Sequence, residues 1–353
     1  MGGTFGRPRE TPSESDHDGG SGGGALTPLD PITRRFIDSL AGTPPLPSMG
    51  VEGARAFLAD VQRASYHPLT IMPADVTPVV VETHDTGPVT VHVVRPPTGD
   101  GEVGALLPAI VYVHGGGWAL GDFDTHERLV RDLAFRTGAA VVFVDFDRAP
   151  EVACHTAEEQ VLGVLRWLSA CGDRVGVDGR RLALAGEGSG AHTAASVALC
   201  AAHDPVLSEC VHGQALLCPI LDVPDAPPPF GEAPWLSHDT ILWYWSLCGT
   251  DPKASPLRAP TARLGALPPT LVVSAGRDIV CLQGHAYAAR LIHAGVAVES
   301  ATYPDAIHDF VLLDVLVSTP AAQAALDRTA GFLARVLYGS SLRTMAPTMA
   351  GAF

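Results

Sequence analysis

Short apolar runs that alternate with helical stretches constrain the fold of this chain more than any other feature. Six such runs lie at 109–113, 139–144, 182–185, 215–218, 270–273 and 298–303. Helical periodicity is found between most of them and after the last, at 126–137, 156–170, 190–201, 284–294 and 320–337. Short buried strands separated by helices are typical of a parallel sheet that is covered on both faces. The sequence therefore predicts an α/β fold.

Two more strands and two helices precede this series. The segments 76–82 and 89–94 have strand character and are joined by a short turn, which predicts an antiparallel pair at a sheet edge. A helix is predicted to begin at Pro31 after the N-cap Asp30, and a second helix to cover 51–61. The complete prediction is an eight-stranded, mostly parallel sheet with helices on both faces.

Changes in composition divide the chain into parts. The N-terminal stretch is rich in Gly, Ser and charge and contains no apolar segment of a signal peptide, so we expect a disordered leader. An insertion that is first Pro-rich and then aromatic interrupts the core, and a flexible tail follows the last helix. The predicted parts are the leader, the N-terminal helices, a core in two segments, the insertion and the tail, at 1–27, 28–75, 76–221 with 257–338, 222–256 and 339–353.

The formal net charge of −15 decides between classes of partner. Nucleic acids and anionic membrane surfaces attract clustered Lys and Arg, so the acidic balance argues against both. No apolar run approaches the roughly 18 residues that span a bilayer. We therefore expect a small-molecule partner, no cofactor and a cytoplasmic location.

Seven cysteines are dispersed along the chain and form no C-x-x-C pair. Their odd number and wide spacing indicate neither a disulfide framework nor a zinc site, so we expect reduced, mostly buried thiols and no metal. Cys154 and His155 offer an alternative nucleophile and base. Adjacent residues, however, rarely direct both side chains to one point.

A glycine triplet directly follows the first apolar run. The segment 114–118 reads His-Gly-Gly-Gly-Trp. Three glycines let the backbone turn its N–H groups toward a ligand without interference from Cβ atoms. The sequence therefore predicts an oxyanion hole, which binds the negatively charged oxygen of a reacting carbonyl, at Gly115, Gly116 and Gly117.

The third apolar run leads into a turn that reads Gly-Glu-Gly-Ser-Gly at 186–190. A strand, a tight turn and a small-residue helix are the setting of the G-x-S-x-G nucleophile elbow of serine hydrolases. In that register the nucleophile position is Gly188, which has no side chain. Ser189 then has two interpretations: it supplies a backbone N–H to the oxyanion hole, or a one-residue shift of the turn makes it the nucleophile.

An acid and a base follow the last two apolar runs. Asp278 comes soon after the run at 270–273, and His308 soon after the run at 298–303. Both are therefore predicted at the carboxyl ends of strands, where open α/β sheets bind their ligands. Asp305 and Asp309 are alternatives for the acid, although we expect both to be solvated loop residues.

These motifs together resemble the hormone-sensitive lipase family of α/β-hydrolases, and its bacterial carboxylesterases in particular. The resemblance covers about residues 30–338, and it implies an α/β-hydrolase fold with a helical cap to which the two leading helices contribute. It also allows a homodimer. Substrate contacts are expected from Trp118, Glu187 and Trp243 in a largely apolar pocket. Besides the segments above, the resemblance rests on Gly121-Asp122, Thr125-His126 and Ala149-Pro150-Glu151.

Glycine at the nucleophile position leaves three hypotheses for the function. Removing the nucleophile of a serine protease costs about a millionfold in rate, so acyl-enzyme turnover through Gly188 is excluded. The favoured hypothesis is an enzyme in which His308, Asp278 and the oxyanion hole carry out proton transfer, elimination, cyclisation or addition on an apolar carbonyl substrate, for example in secondary metabolism. The alternatives are a carboxylesterase that uses Ser189 or an activated water, and a catalytically inactive binding protein.

Overall fold

The computed structural model describes five segments of the chain. The predicted leader up to residue 26 and the predicted tail from residue 340 lie outside these segments, as do parts of the insertion. The described segments are 27–65, 71–97, 105–223, 233–249 and 255–339.

The eight predicted strands form one sheet, which confirms the α/β fold. In chain order they are β1 (Asp75–Thr83), β2 (Gly87–Arg95), β3 (Leu107–Val113), β4 (Ala140–Asp145), β5 (Val177–Glu187), β6 (Val211–Leu217), β7 (Thr270–Arg277) and β8 (Val298–Ile307). Across the sheet their order is β1-β2-β4-β3-β5-β6-β7-β8. β2 is antiparallel to both of its neighbours, β1 and β4, and every other neighbouring pair is parallel.

Helices cover both faces of this sheet. Among the described residues they are α1 (Pro31–Ser39), α2 (Leu46–Ser65), α3 (Phe123–Thr137), α4 (His155–Cys171), α5 (Gly188–Ala201), α6 (His238–Cys248), α7 (Thr261–Leu264), α8 (Cys281–His293) and α9 (Pro320–Tyr338). α3 and α9 pack together on one face, and α4 and α5 on the other. Within the described part of the chain, no helix has both the length and the apolar character that a membrane span requires.

The central strand β3 shows why a strand that is covered on both faces is apolar along its length. Val111 and Val113 belong to the core under α4 and α5, whereas Ile110 and Tyr112 belong to the core under α3 and α9. Successive side chains of a strand point to opposite faces, and here both faces are buried. A polar residue at any of these positions would lie in a core.

The second helix begins earlier than predicted. α2 starts at Leu46 rather than at 51, but Gly50 interrupts its helical geometry with a φ of +68°. Glycine adopts this left-handed conformation without steric cost. The helix predicted from 51 is therefore preceded by a short separate turn, which adds Leu46 to the cap.

The prediction that all cysteines are reduced is wrong. Cys154 and Cys248 form a disulfide, with their Cα atoms 4.9 Å apart. Cys154 precedes α4 and Cys248 is the last residue of α6, so the bond ties the insertion to the core. The bond also removes the Cys154 thiol as a nucleophile for His155. The other cysteines within the described segments are free, at positions 171, 200, 210, 218 and 281.

Candidate active site

Four strands bring the predicted catalytic segments to one edge of the sheet. The segment 114–118 follows β3, Gly188 follows β5, Asp278 follows β7, and His308 follows β8. β3, β5, β6, β7 and β8 run parallel, so their carboxyl ends share this edge. The residues that the sequence predicts to act together are therefore neighbours in space.

Asp278 and His308 form a buried pair at this edge. Nδ1 of His308 and Oδ2 of Asp278 are hydrogen-bonded at 2.7 Å, and Oδ1 accepts a second hydrogen bond from the Val280 N–H at 3.1 Å. Burial opposes protonation of His308, but the carboxylates of Asp278 and Asp309 outweigh it and raise the pKa of the imidazole to about 9. The imidazole is therefore a cation at neutral pH.

Gly188 faces this imidazole. A Cβ atom built on Gly188 would lie 3.3 Å from Nε2 of His308. Apart from chain neighbours, His308 alone among the described residues comes within 4 Å of that atom. Any side chain at position 188 would thus point at the imidazole of His308. The nucleophile elbow requires this orientation of its central residue, but glycine has no side chain to act as the nucleophile.

Ser189 has its hydroxyl group bound elsewhere. Its Oγ accepts a hydrogen bond from the backbone N–H of Trp118 at 3.1 Å, and its side chain is fully buried. Ser189 is the second residue of α5, and the first N–H groups of a helix have no partner within that helix. This geometry favours the interpretation of Ser189 as a backbone donor over its interpretation as a nucleophile.

The glycine turn after β3 requires glycine at two positions. Gly116 has a φ of +84° and Gly117 a φ of +62°, both in the left-handed region. A Cβ atom on Gly116 would lie 2.6 Å from the carbonyl oxygen of Leu120, and one on Gly117 would overlap the ring of Tyr244. Both glycines line the pocket and are the candidate oxyanion donors. The N–H of Gly115 already donates to the carboxylate of Glu187.

Glu187 is a buried support for this turn. Its Oε1 accepts hydrogen bonds from the Gly115 N–H and from Nε2 of His126, the latter at 2.8 Å, and its Oε2 accepts one from the Tyr112 hydroxyl group. Burial opposes protonation of His126, but Glu187 outweighs it and raises the pKa of this imidazole. The sequence predicts a substrate contact for Glu187, yet the side chain is only 2% exposed and holds the glycine turn from below.

A sequence profile of the α/β-hydrolase fold matches residues 110–312, which is more than half of the chain. The chain belongs to the α/β-hydrolase family. It is 30% identical to carboxylesterase NlhH of Mycobacterium tuberculosis, over 88% of this chain and 97% of that protein. It is 31% identical to ethyl acetate hydrolase of Pseudomonas putida, over 69% of this chain and 78% of that protein.

Solved structures agree with the sequence comparison. A thermostable esterase from Pseudomonas putida ECU1011 superposes on this α/β-hydrolase with a TM-score of 0.82 at 35% identity, and the match covers 88% of this chain and 98% of the esterase. An esterase from the archaeon Pyrobaculum calidifontis superposes with a TM-score of 0.78 at 28% identity, over 87% and 98% of the two chains. The resemblance to carboxylesterases is thereby confirmed at the level of the family.

The pocket of this α/β-hydrolase lies between the catalytic edge and the cap. The space open to the centres of water molecules is about 30 Å³, which is room for roughly two waters. The sheet side is lined by Gly116, Gly117, Gly188, Ser189, His308 and Asp309, and the cap side by residues that include Leu46, Phe57, Trp235 and Tyr244. The cap side of the pocket is largely apolar and the sheet side is polar, a combination that is typical of small-molecule sites.

Two predicted substrate contacts do not line this pocket. Trp118 is buried, donates from Nε1 to the Thr193 hydroxyl group at 3.1 Å, and packs on the core side. Trp243 packs against the same core. Tyr244 instead covers Gly117, as its contact with a Cβ atom built there shows. Helical geometry turns successive side chains by about 100°, so the sequence identified the aromatic helix but not the ring that faces the pocket.

Asp309 is not the solvated loop residue that the sequence predicts. Its Oδ1 lies 3.4 Å from Nε2 of His308, and its Oδ2 accepts a hydrogen bond from Nε1 of Trp235 at 3.0 Å. Its side chain is only 17% exposed. One signal could have identified this residue, since it directly follows the predicted base in the sequence. Asp305 makes neither of these contacts in the described structure.

Three buried groups at the site have the chemistry of metal ligands. The ligand atoms of Cys218, Asp278 and His308 lie within 4.8 Å of one another. However, Asp278 already binds the imidazole of His308, and burial raises the pKa of the Cys218 thiol well above its usual range. A protonated thiol and an occupied imidazole are poor ligands. The three groups are therefore poorly suited to hold a metal ion.

Proposed function

We propose that this α/β-hydrolase hydrolyses carboxylic esters by direct attack of water, without an acyl-enzyme intermediate. The family and the esterase activity named for its relatives support an ester as the substrate. One observation carries the proposal of direct attack: the Cβ direction of Gly188 points at Nε2 of His308, 3.3 Å away, where glycine supplies no oxygen. A water molecule in this place can do what a serine hydroxyl group does in serine hydrolases.

In the proposed reaction each group has one step. The ester carbonyl oxygen is bound by the N–H groups of Gly116, Gly117 and Ser189, which stabilise the negative charge that develops on it. Water attacks the carbonyl carbon from the side of Gly188. Its proton passes to one of the two titratable groups there, His308 or Asp309. The ester C–O bond then breaks, and the leaving alkoxide takes a proton from His308. The products are a carboxylic acid and an alcohol.

Short p-nitrophenyl esters and a fluorophosphonate probe test this proposal. The wild-type protein is expected to hydrolyse p-nitrophenyl acetate steadily, with no initial burst of nitrophenol, and to remain unlabelled by the probe because no hydroxyl group faces His308. His308→Ala controls for the background rate. A burst together with stoichiometric labelling at Ser189 would show a covalent mechanism, and the absence of turnover above the His308→Ala rate would refute ester hydrolysis.

Non-hydrolytic proton transfer is a second candidate function. The observation that favours it is the 3.4 Å contact between the His308 imidazole and the Asp309 carboxylate, which places an acid beside a base in one pocket. Such a pair can move a proton on a carbonyl substrate in an elimination, an isomerisation, a cyclisation or an addition. This candidate requires that wild-type protein convert a carbonyl compound that contains no ester bond, at a rate that His308→Ala lowers.

A further inference from the structure

Two carboxylates flank the imidazole of His308. Asp278 is hydrogen-bonded to Nδ1. Asp309 lies 3.4 Å from Nε2, the nitrogen that faces Gly188. In a serine hydrolase the second nitrogen is hydrogen-bonded to the nucleophile. In this chain Nε2 of His308 has one ion-pair partner among the described residues. That partner is Oδ1 of Asp309. The carboxylate therefore lies next to the position from which a water would attack.

The backbone and the cap both hold Asp309 in this place. Its φ of +60° lies in the left-handed region, which non-glycine residues rarely occupy, although Asp enters it more easily than most. Its Oδ2 is fixed by the indole N–H of Trp235, which comes from the cap. Such a conformation persists only where the surroundings impose it, and it is often found at functional sites.

Resting on the ester hydrolysis proposed above, we infer that Asp309 is a catalytic residue, the general base that accepts the proton of the attacking water. In one turnover the water oxygen forms a bond to the carbonyl carbon while its proton passes to Oδ1 of Asp309. The tetrahedral intermediate then collapses, the ester C–O bond breaks, and the alkoxide takes the Nε2 proton of His308. The proton on Asp309 returns to Nε2, which restores both groups.

The charges around His308 suit this division of roles. The groups that face it are the carboxylates of Asp278, Asp309 and Glu187 and the neutral thiol of Cys218. Tyr244 covers the pocket with a phenol whose pKa is raised by burial and by Asp309. No cation in this set competes with the imidazole, so it stays protonated at neutral pH. A protonated imidazole acts as an acid, which agrees with the position of the Asp309 carboxylate beside the attacking water.

Asp309→Asn tests the assignment because it keeps the size of the side chain and removes its charge. With p-nitrophenyl acetate we expect kcat to fall by about 10²-fold or more with little change in KM. Asp309→Gly suits the backbone φ of +60° and should show the same loss in a well-folded protein. Asp305→Asn, in β8, is the matched control and should retain wild-type kcat. With an alkyl ester such as ethyl acetate, whose alkoxide must be protonated as it leaves, wild-type kcat should fall as the pH rises through about 9, where His308 loses its proton.

The outcomes separate this inference from the proposed function. Wild-type turnover with unimpaired or faster Asp309→Asn and Asp309→Gly variants would overturn the role of Asp309 and make His308 the base. In that case kcat would rise, not fall, as the pH approaches 9. Absence of wild-type turnover would overturn ester hydrolysis and the role of Asp309 with it.

Discussion

The backbone of Gly188 is left-handed, with a φ of +55°, a conformation that glycine adopts freely and serine does not. Serine at such a position stores strain on the order of 1–3 kcal/mol. Asp309 has a similar φ of +60° but is not a glycine, so its backbone is strained. Gly188 and Asp309 both face Nε2 of His308, and only Asp309 carries this strain. At the scale of single residues, this difference agrees with the role proposed for Asp309.

A serine at position 188 is therefore expected to become a nucleophile only if Asp309 is replaced as well. Gly188→Ser alone should give little covalent activity, because the new hydroxyl group must compete with Asp309 for Nε2 and meets an imidazole that is already protonated. Gly188→Ser combined with Asp309→Gly removes the competing carboxylate and lets His308 act as a base. We expect stoichiometric fluorophosphonate labelling of the introduced serine in the double variant, at a rate at least tenfold above that of the single variant.

Mass spectrometry of the labelled peptide identifies the serine that reacts. Asp309→Gly alone serves as the control, because it retains Ser189 as the one hydroxyl group of the elbow. Equal labelling of Gly188→Ser and of the double variant would mean that Asp309 does not restrain His308. Label on Ser189 would mean that the turn has shifted by one residue.

At the scale of elements, the periodicity of apolar residues predicts the strands and helices of the core. The strands and the helices of the sheet layers could be placed because burial on both faces makes a strand wholly apolar, as in β3. The positions of Asp278 and His308 followed from the strands that precede them. The sequence could not assign Glu187, because a carboxylate beneath a turn and one in a pocket look the same until the donors around it are known. It could not orient Trp243 and Tyr244, because successive side chains of a helix point about 100° apart and the sequence does not say which one faces the pocket.

The disulfide is the clearest feature that local pattern cannot predict, because 94 residues separate its ends. It joins the start of α4 to the end of α6, the helix that carries Tyr244. A crosslink that closes a long loop stabilises mainly by restricting the unfolded chain, by about 2–4 kcal/mol. We expect Cys154→Ser with Cys248→Ser to lower the free energy of unfolding by that amount, measured by urea denaturation.

Wild-type protein in dithiothreitol should show the same loss as this double variant. Cys171→Ser, which removes a free and half-buried thiol, is the control and should leave the unfolding midpoint nearly unchanged. Limited proteolysis should cut within 233–249 faster in the double variant than in the wild type, since the insertion then loses its tie to the core. Equal stability of the double variant and the wild type would mean that the bond does not form in the native protein.

At the scale of the whole molecule, buried histidines couple stability to pH. The folded-state pKa of His308 is about 9, against roughly 6.5 in an unfolded chain, and that of His126 is raised as well. The folded protein therefore binds more protons than the unfolded chain between these values. The stabilisation is complete below pH 6.5 and is lost as the pH rises through 9. His192 and Glu151 have lowered pKa values, of about 4 and about 2, so their effects lie below this window.

We accordingly expect the free energy of unfolding to decrease between pH 7 and pH 9.5, by at most about 1.4 kcal/mol per pH unit for each proton released. Urea denaturation at intervals of half a pH unit measures this slope. Asp309→Asn removes one of the carboxylates that hold the proton on His308, so its slope should be smaller. Stability that rises with pH across this range would contradict the charged state of both histidines.

The small volume of the pocket has a consequence for the kinetics of binding. About 30 Å³ of space open to the centres of water molecules is less than an ester needs, so we expect a substrate to enter only while the cap is displaced from Gly117 and His308. The apparent dissociation constant is then the intrinsic constant divided by the fraction of molecules that are open. Association is limited by the rate of opening rather than by diffusion once the substrate is abundant. Trp235 joins the cap to Asp309, so under the proposed mechanism opening would also free the carboxylate, and closing would return it to the attacking water.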